Sequence, residues 1–475
     1  MCRATYRSTP LADSSALGRK FRNRICHKHK NPVDKHWATR LPSRVVPNWT
    51  CPRICSVLRA VAWVGFGCLP VAPSAVSGRH FFSVIPLSTA LPVRTKVTLP
   101  CTFVRSLSYL SPFGRFSERK ITDMKSADVA IAGGGIIGLS TALELATTGR
   151  KVTVFDRREA MSEASRAAAG MLAGNDPENP PELRSLARLS LALYPEFLAR
   201  VEALSGMKIP IRTTATLQGV LQIPHGATAL SEAEIQALAP GANTSGWSFF
   251  LMEERSLDAW DLAESLPAAA RAAGVDLHEH TSVLRAGFRN GGVELDTSAG
   301  SFSAGQFLNA AGAWASEIHG PLPTAPRKGH MLTAELPGPL QMHCVLRTPK
   351  VYIVPRGDGR YTIGPTVEDA GFDKEVDPER IHALFHKAVE LWPVLRNASI
   401  AETWTGLRPG SGDGLPIIDA TASRCWIATG HFKNGIMLGP ATAHLLCQWI
   451  DGSQPEVDLS PFRIARFCSS AAASW

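Results

Sequence analysis

Acidic residues are nearly missing from the first quarter of this 475-residue chain. Residues 1–123 hold 4 Asp/Glu against 20 Lys/Arg, a net of +16, whereas residues 124–475 hold 37 against 30, a net of −7. The formal net charge of +9 therefore joins two opposite compositions, and no partner class follows from it. A bilayer-spanning run is also lacking. Such a span needs about 20 apolar residues, and the best candidate, residues 60–76, has 17 and carries Pro70 and Pro73. Metal-site spacing is lacking too. Cys51 with Cys55, and Cys26 with His27 and His29, find no second pair at finger or ribbon distance, so no metal is expected. Beyond residue 123 only Cys344, Cys425, Cys447 and Cys468 occur, scattered like buried thiols rather than a disulfide framework. With 45% apolar and 19% charged residues, the chain is neither disordered nor collagen-like.

Residues 1–123 are rich in Arg, Ser, Pro and Cys and keep neither a 3.6- nor a 2-residue period. A transit peptide would share the bias but be amphipathic. A nucleic-acid arm would present aromatics as stacking platforms. The reading adopted is that the stretch is not a folded domain but upstream sequence, with the start at Met124. That is the first methionine after Met1, and Met124-Lys125-Ser126-Ala127-Asp128 leads straight into an apolar strand.

From there a βαβ pattern is legible. Val129-Ala130-Ile131-Ala132 is a short apolar strand running into Gly133-Gly134-Gly135-Ile136-Ile137-Gly138, a G-x-G-x-x-G with Gly133, Gly135 and Gly138 at the marked positions. A helix is predicted over residues 139–148, then a strand over residues 151–155 ending in Asp156. Glycines in this context let backbone approach a pyrophosphate at a helix N-terminus, and an acid about 20 residues on accepts from a ribose hydroxyl. A dinucleotide is therefore expected on Gly133, Gly135, Ile136, Ile137, Gly138, Asp156 and Arg157. The next run, Ser165-Arg166-Ala167-Ala168-Ala169-Gly170-Met171-Leu172, is small enough for backbone to pass close to a flat ligand, which favours FAD over NAD. A small-residue helix face is the competing reading of that run.

Further motifs follow: Phe307-Leu308-Asn309-Ala310-Ala311-Gly312-Ala313-Trp314, Pro326-Arg327-Lys328-Gly329-His330-Met331-Leu332, Gly406-Leu407-Arg408-Pro409 and Gly430-His431-Phe432-Lys433-Asn434-Gly435-Ile436-Met437. In their order and content these resemble the FAD-dependent amino-acid and amine oxidases, the family of D-amino acid oxidase, sarcosine oxidase and glycine oxidase. The resemblance covers about 350 residues and is nearest to glycine oxidase. It implies an α/β, Rossmann-like FAD domain built from residues 124–205, 275–330 and 400–460. It also implies an α+β, antiparallel-sheet substrate domain from residues 206–274 and 331–399, with a tail at 461–475. The pattern permits this. Apolar residues from Leu183 to Leu204 fall at helical spacing, Ser231 to Glu234 reads as a capping box, and Asp358-Gly359 reads as a hairpin turn.

The resemblance assigns substrate carboxylate to Arg408, a residue type suited to a two-pronged grip, and to the Tyr352 hydroxyl. Their bland alternatives are a loop-capping Arg and a strand Tyr with a wet hydroxyl. Lys433 stands where glycine oxidases often carry Arg; it keeps the charge and loses the fork. Val367 stands where glycine oxidases can carry a longer pocket-lining side chain. Residues 431–437 (His431, Phe432, Lys433, Asn434, Gly435, Ile436, Met437) are expected to point a helix N-terminus, starting near Gly439, at the flavin pyrimidine edge. Ser165, Ala169, Gly170, Met171 and Gly312 are assigned to FAD, and Val283 to its adenine or ribose side, or else to simple strand burial. No Cys occurs in residues 406–419, so FAD is expected to be non-covalent.

Amine oxidation by hydride transfer to flavin N5 needs no acid–base dyad, since the cofactor carries the chemistry. The expected activity is oxidation of glycine or small amines to the imine, then oxo acid and ammonia, with oxygen reduced to peroxide. The resemblance adds a role in making the thiazole half of thiamine. Alternatives are a D-amino acid dehydrogenase feeding a quinone, an RNA-linked flavin module, and a flavin sensor without turnover. The expected protein is cytoplasmic, with no nucleic-acid partner and no stable membrane insertion; a homo-oligomer is left open.

Overall fold

The computed structural model describes residues 126–289, 291–338 and 342–467. The expectations on residues 1–123, Met124, Cys468 and most of the tail beyond 461 lie outside these.

An eight-stranded sheet forms the first layer: β1 (Ser126–Ala132), β2 (Val152–Phe155), β8 (Asp276–His278), β9 (Val283–Arg289), β10 (Gly292–Thr297), β11 (Gly300–Asn309), β17 (Ile417–Ala422) and β18 (Cys425–Thr429). Its spatial order is β17-β18-β11-β1-β2-β8. The β1, β2, β8, β11 and β18 pairings are parallel, with Val129 opposite Val152 and Phe307 opposite Cys425. From Val129 onward β1 is apolar and buried on both faces, and all of β2 is buried, as central parallel strands are.

Helices α1 (Ile136–Thr147), α2 (Arg184–Ser205), α4 (Ala259–Ala272) and α7 (Gly435–Ile450) pack with this sheet in one apolar core. Two of them start earlier than the glycines suggest. α1 begins at Ile136 because Gly135 supplies the extended N-cap backbone. α7 begins at Gly435, which takes ordinary helical angles. Gly439 is a packing requirement instead, since a Cβ there would lie 2.9 Å from Ile136 Cγ1.

The second layer is a seven-stranded sheet of β5 (Thr216–Val220), β6 (Ser248–Met252), β12 (Thr324–Glu335), β13 (Val345–Arg347), β14 (Tyr352–Gly357), β15 (Arg360–Gly364) and β16 (Ser399–Ser411), mostly antiparallel. α3 (Glu232–Leu238) and α6 (Pro378–Leu391) lie on it around Tyr361 and Trp392. A small sheet joins β3 (Met171–Leu172), β4 (Ile211–Thr213) and β7 (Arg255–Leu257), and α5 (Ala315–His319) follows β11. The capping box at Ser231 and Glu234 is formed. The β14–β15 turn places Asp358 and Gly359 both at positive φ, as a two-residue hairpin prefers.

The boundaries expected at 330 and 400 fall inside β12 and β16. These two long strands pair along nearly their whole length, Arg327 opposite Arg408 and Gly329 opposite Gly406, and divide as a unit. α4, expected with the second domain, instead buries Leu262, Leu266 and Ala270 in the first core. Among the described residues no helix is long and apolar enough to cross a membrane. No cluster of three His, Cys, Asp or Glu among them could hold a metal ion.

Candidate active site

A cavity of about 870 Å³ runs from the carboxyl ends of β1, β2, β11 and β18 to the face of β12, β13, β14 and β16. The carboxyl ends of parallel strands are where α/β sheets place ligands.

The glycine turn occupies one end. Gly133 has φ +103°, and a Cβ there would sit 2.3 Å from the Ala310 carbonyl oxygen, so only glycine fits. Gly135 lines the cavity and α1 starts behind it; the Ile136 N–H donates to Ser165 Oγ at 3.0 Å. Ile137 lines the cavity as well, but Gly138 does not. Its hydrogen packs against the Gly133 carbonyl, where a Cβ would be at 1.9 Å, so its work is closing the turn.

Asp156 lies at the end of β2. Its Oδ2 accepts from the Gly134 N–H at 2.6 Å and its Oδ1 from the Arg158 N–H at 2.8 Å. Burial pushes this carboxyl above its usual range, and the two backbone donors oppose the rise. Each oxygen retains a lone pair for a hydroxyl donor. The Arg157 guanidinium stacks 4.4 Å above the Trp314 ring, and both line the cavity. Ser165, Ala169, Gly170, Met171, Val283 and Gly312 also line it.

At the other end stands Arg408. Its Nη1 donates to the Thr366 carbonyl at 3.3 Å, and among the described residues no carboxylate pairs with it. Burial lowers its pKa, and the neighbouring Tyr352 hydroxyl opposes that. The Tyr352 phenol is pushed up to about 12 by burial, with Arg408 and Arg347 pulling it back. It is therefore protonated and able to donate. A half-buried guanidinium without an acid partner among the described residues, beside a phenol, has the donor chemistry that a carboxylate takes.

Between the two ends, residues 431–436 follow β18 into α7 and line the cavity. His431 is buried, touches Thr442 Oγ1 through Nε2 at 3.2 Å, and is pushed down to about 3 by burial. It is neutral at ordinary pH. No side chain caps the α7 N-terminus and no acid stands in its first turn. Its first residues, Gly435 and Ile436, line the cavity, so the positive end of the helix dipole lies at the cavity wall. Met437 does not line the cavity; it is 1% exposed and packs in the first core. Lys433 lines it, but its Nζ is held by Asp176 at 3.1 Å and Glu178 at 3.0 Å.

Several lining groups had no signal in the sequence. Arg347 lies opposite Tyr352 across β13 and β14 and bonds through Nε to Gln218. It also faces Glu254 at 3.2 Å and Asp176 at 3.9 Å. Gln218, Glu254 and Asp176 come from three distant segments. Gly329, under Arg408, could have been suspected from its place in the Pro326–Leu332 motif. The arrangement as a whole can bind a carboxylate at one end and a diphosphate at the other, with positive dipole density between. It contains no dyad suited to acid–base work.

The family model "FAD dependent oxidoreductase" matches residues 128–449. The chain is 36% identical over 366 residues to the "Bifunctional protein ThiO/ThiG" of Trichormus variabilis, covering 72% of this chain and 56% of that protein. It thus spans about half the length of such two-part relatives. It is 31% identical to the "Glycine oxidase" of Geobacillus kaustophilus, covering 71% of this chain and 97% of that one. The crystal structure of glycine oxidase from the same organism superposes with TM-score 0.69 at 29% identity, over 72% of this chain and 99% of that chain.

Proposed function

The chain belongs to the family of FAD-dependent oxidoreductases, and on that premise we propose that it oxidises glycine or another small amino acid or amine to the imine. Water then takes the imine to the oxo acid and ammonia. The observation that carries the reading is Arg408, a guanidinium with no acid partner among the described residues, beside the Tyr352 hydroxyl in the cavity that holds the glycine turn.

The residues present fit FAD. A Cβ would fill the cradle at Gly133, and the α1 and α7 N-termini meet the same space without an acid in their first turns. Gly133, Gly135, Ile136, Ile137, Asp156 and Arg157 would hold its diphosphate and ribose side. Ser165, Ala169, Gly170, Met171, Val283, Gly312 and residues 431–436 would hold the rest. Gly138 and Met437 would act from behind. When bound, FAD supplies the two-electron acceptor for the substrate Cα–H bond.

The protein's own residues do the positioning. Arg408 grips the carboxylate with two N–H groups and Tyr352 donates to it, which fixes the Cα. Lys433, tied to Asp176 and Glu178, shapes the wall and is the weakest of the substrate assignments. The α7 N-terminus offers its dipole where negative charge collects, and neutral His431 adds no charge of its own. The reading keeps FAD non-covalent; among the described residues Cys344, Cys425 and Cys447 are buried and none lines the cavity. The reading includes oxygen as acceptor, a cytoplasmic location and a place in making the thiazole half of thiamine. Similarity to proteins named glycine oxidase and ThiO/ThiG supports it.

Anaerobic addition of glycine to the purified full chain tests it. The visible flavin band should bleach and return with air. In Arg408→Ala the band should be present but slow to bleach. Rapid bleaching by glycine in that variant would remove Arg408 from the site, and no bleaching of the wild type would exclude glycine as substrate.

A further inference from the structure

Pro440 stands in the second turn of α7. It has no N–H, so the carbonyl of Ile436, four residues earlier, loses its helical donor. That carbonyl belongs to the turn that meets the cavity. Two hydroxyls from α2, one helical turn apart, fill the gap. Tyr194 Oη donates to the Ile436 carbonyl at 2.8 Å. Ser190 Oγ donates to the Met437 carbonyl at 2.6 Å and accepts from the Ala441 N–H at 3.2 Å. Both residues are fully buried, and burial pushes the Tyr194 phenol far up, so it remains a donor at every working pH.

We propose that Tyr194 is a positioning residue. By replacing the hydrogen bond that Pro440 removes, it holds the first turn of α7 against the cavity and so sets the redox potential of bound FAD. This rests on the reading that the α7 N-terminus faces the cofactor. The two hydroxyls are not equivalent. Without Ser190, the Ala441 N–H can close back onto the Met437 carbonyl as in any helix. Without Tyr194, the Ile436 carbonyl loses the one side-chain donor it has among the described residues, and Pro440 brings no N–H in its place. The buried carbonyl then tilts toward another donor and carries the N–H groups of its turn with it.

The test is the midpoint potential of the full-chain holoprotein, read by dithionite titration so that no substrate is involved. Tyr194→Phe keeps the ring and removes only the donor. It should lower the preference for the two-electron-reduced over the oxidised cofactor about tenfold, which is about 30 mV for a two-electron couple. Its FAD dissociation constant should rise several-fold. Ser190→Ala should change both by less than about twofold. Pro440→Ala restores the N–H, so adding Tyr194→Phe to it should leave the potential unmoved. A purely structural tyrosine would lower the melting temperature and leave the potential in place.

An unmoved potential in Tyr194→Phe overturns the proposal. So does an equal shift with and without Pro440→Ala, which would separate the effect from the Ile436 carbonyl. If glycine fails to bleach the wild type while the potentials shift as stated, the substrate assignment falls and the positioning role stands.

Discussion

Gly329 lies directly beneath the guanidinium of Arg408: a Cβ on Gly329 would stand 2.1 Å from Nη1 and 2.7 Å from Cζ. The two residues sit on paired strands, Gly329 opposite Gly406 and Arg408 opposite Arg327. A missing side chain on β12 thus makes room for the side chain that is to grip substrate. Gly329→Ala should push the guanidinium off the Thr366 carbonyl while leaving the glycine turn intact. Loss of one charged hydrogen-bonding partner costs about 1.5–3 kcal/mol, so the apparent substrate affinity should fall roughly tenfold to a hundredfold. The flavin absorbance per chain should be unchanged. Steady-state kinetics and the visible spectrum of the same preparation check both halves.

Arg408→Lys separates charge from shape. A lysine in that place keeps a cation but offers no planar fork, and its shorter head cannot reach the Thr366 carbonyl and a carboxylate in one plane. The variant should bind glycine about tenfold more weakly than wild type yet better than Arg408→Ala. Lysine and alanine variants of equal affinity, both weaker than wild type, would mean that the fork carries the binding and the charge alone adds nothing.

His431 gives a pH signature of folding rather than of catalysis. Burial holds its pKa down at about 3, against 6.5 in the unfolded chain. The unfolded state therefore binds a proton that the native state refuses once the pH falls below 6.5. Stability should be flat with respect to this group above about 6.5 and decline below it, by up to about 1.4 kcal/mol per pH unit, until about pH 3. Urea unfolding of wild type and His431→Asn at several pH values reads the difference. The wild-type curve should bend downward more steeply between about pH 6 and 4. Parallel curves would mean that His431 takes up its proton in the native state.

The dinucleotide half was legible in the sequence because its determinants are local. A strand, a glycine turn, a helix and an acid follow one another within residues 126–156, and steric demands on Gly133 and Gly138 leave a pattern behind. Helix starts were read late because glycine marks both turns and close packing. Gly439 is glycine for Ile136, not for a turn. The division between the two domains was less legible, since β12 and β16 are each continuous in sequence across the boundaries expected at 330 and 400 and pair along nearly their whole length. The pairing of Arg347 with Glu254 and Asp176 was not legible at all. Its members are spread over more than 170 residues, and no spacing rule connects a residue before β7 with one at the end of β13.

That pair carries the last prediction. Arg347 Nη2 and Glu254 Oε2 are 3.2 Å apart with side chains 7% and 1% exposed. Burial pushes the Glu254 carboxyl upward and Arg347 pulls it back. Two charges so placed have given up most of their hydration, and each depends on the other. Arg347→Met should leave a buried carboxyl without its cation and cost roughly 3–5 kcal/mol near neutral pH. The sign with pH follows from the raised native pKa. Without Arg347 the native state holds a proton on Glu254 that the unfolded state, at its usual 4.5, releases. The variant should therefore be closest to wild type in acid and lose ground as the pH rises above about 4.5. Adding Glu254→Gln removes the stranded carboxylate, so the double variant should recover most of the loss and most of the extra slope, with Asp176 keeping Lys433 as its cation. Urea unfolding of the three proteins at about pH 5 and about pH 8 decides it. If the single and double variants are equally unstable at the higher pH, packing around Arg347, rather than the stranded charge, is what the substitution disturbs.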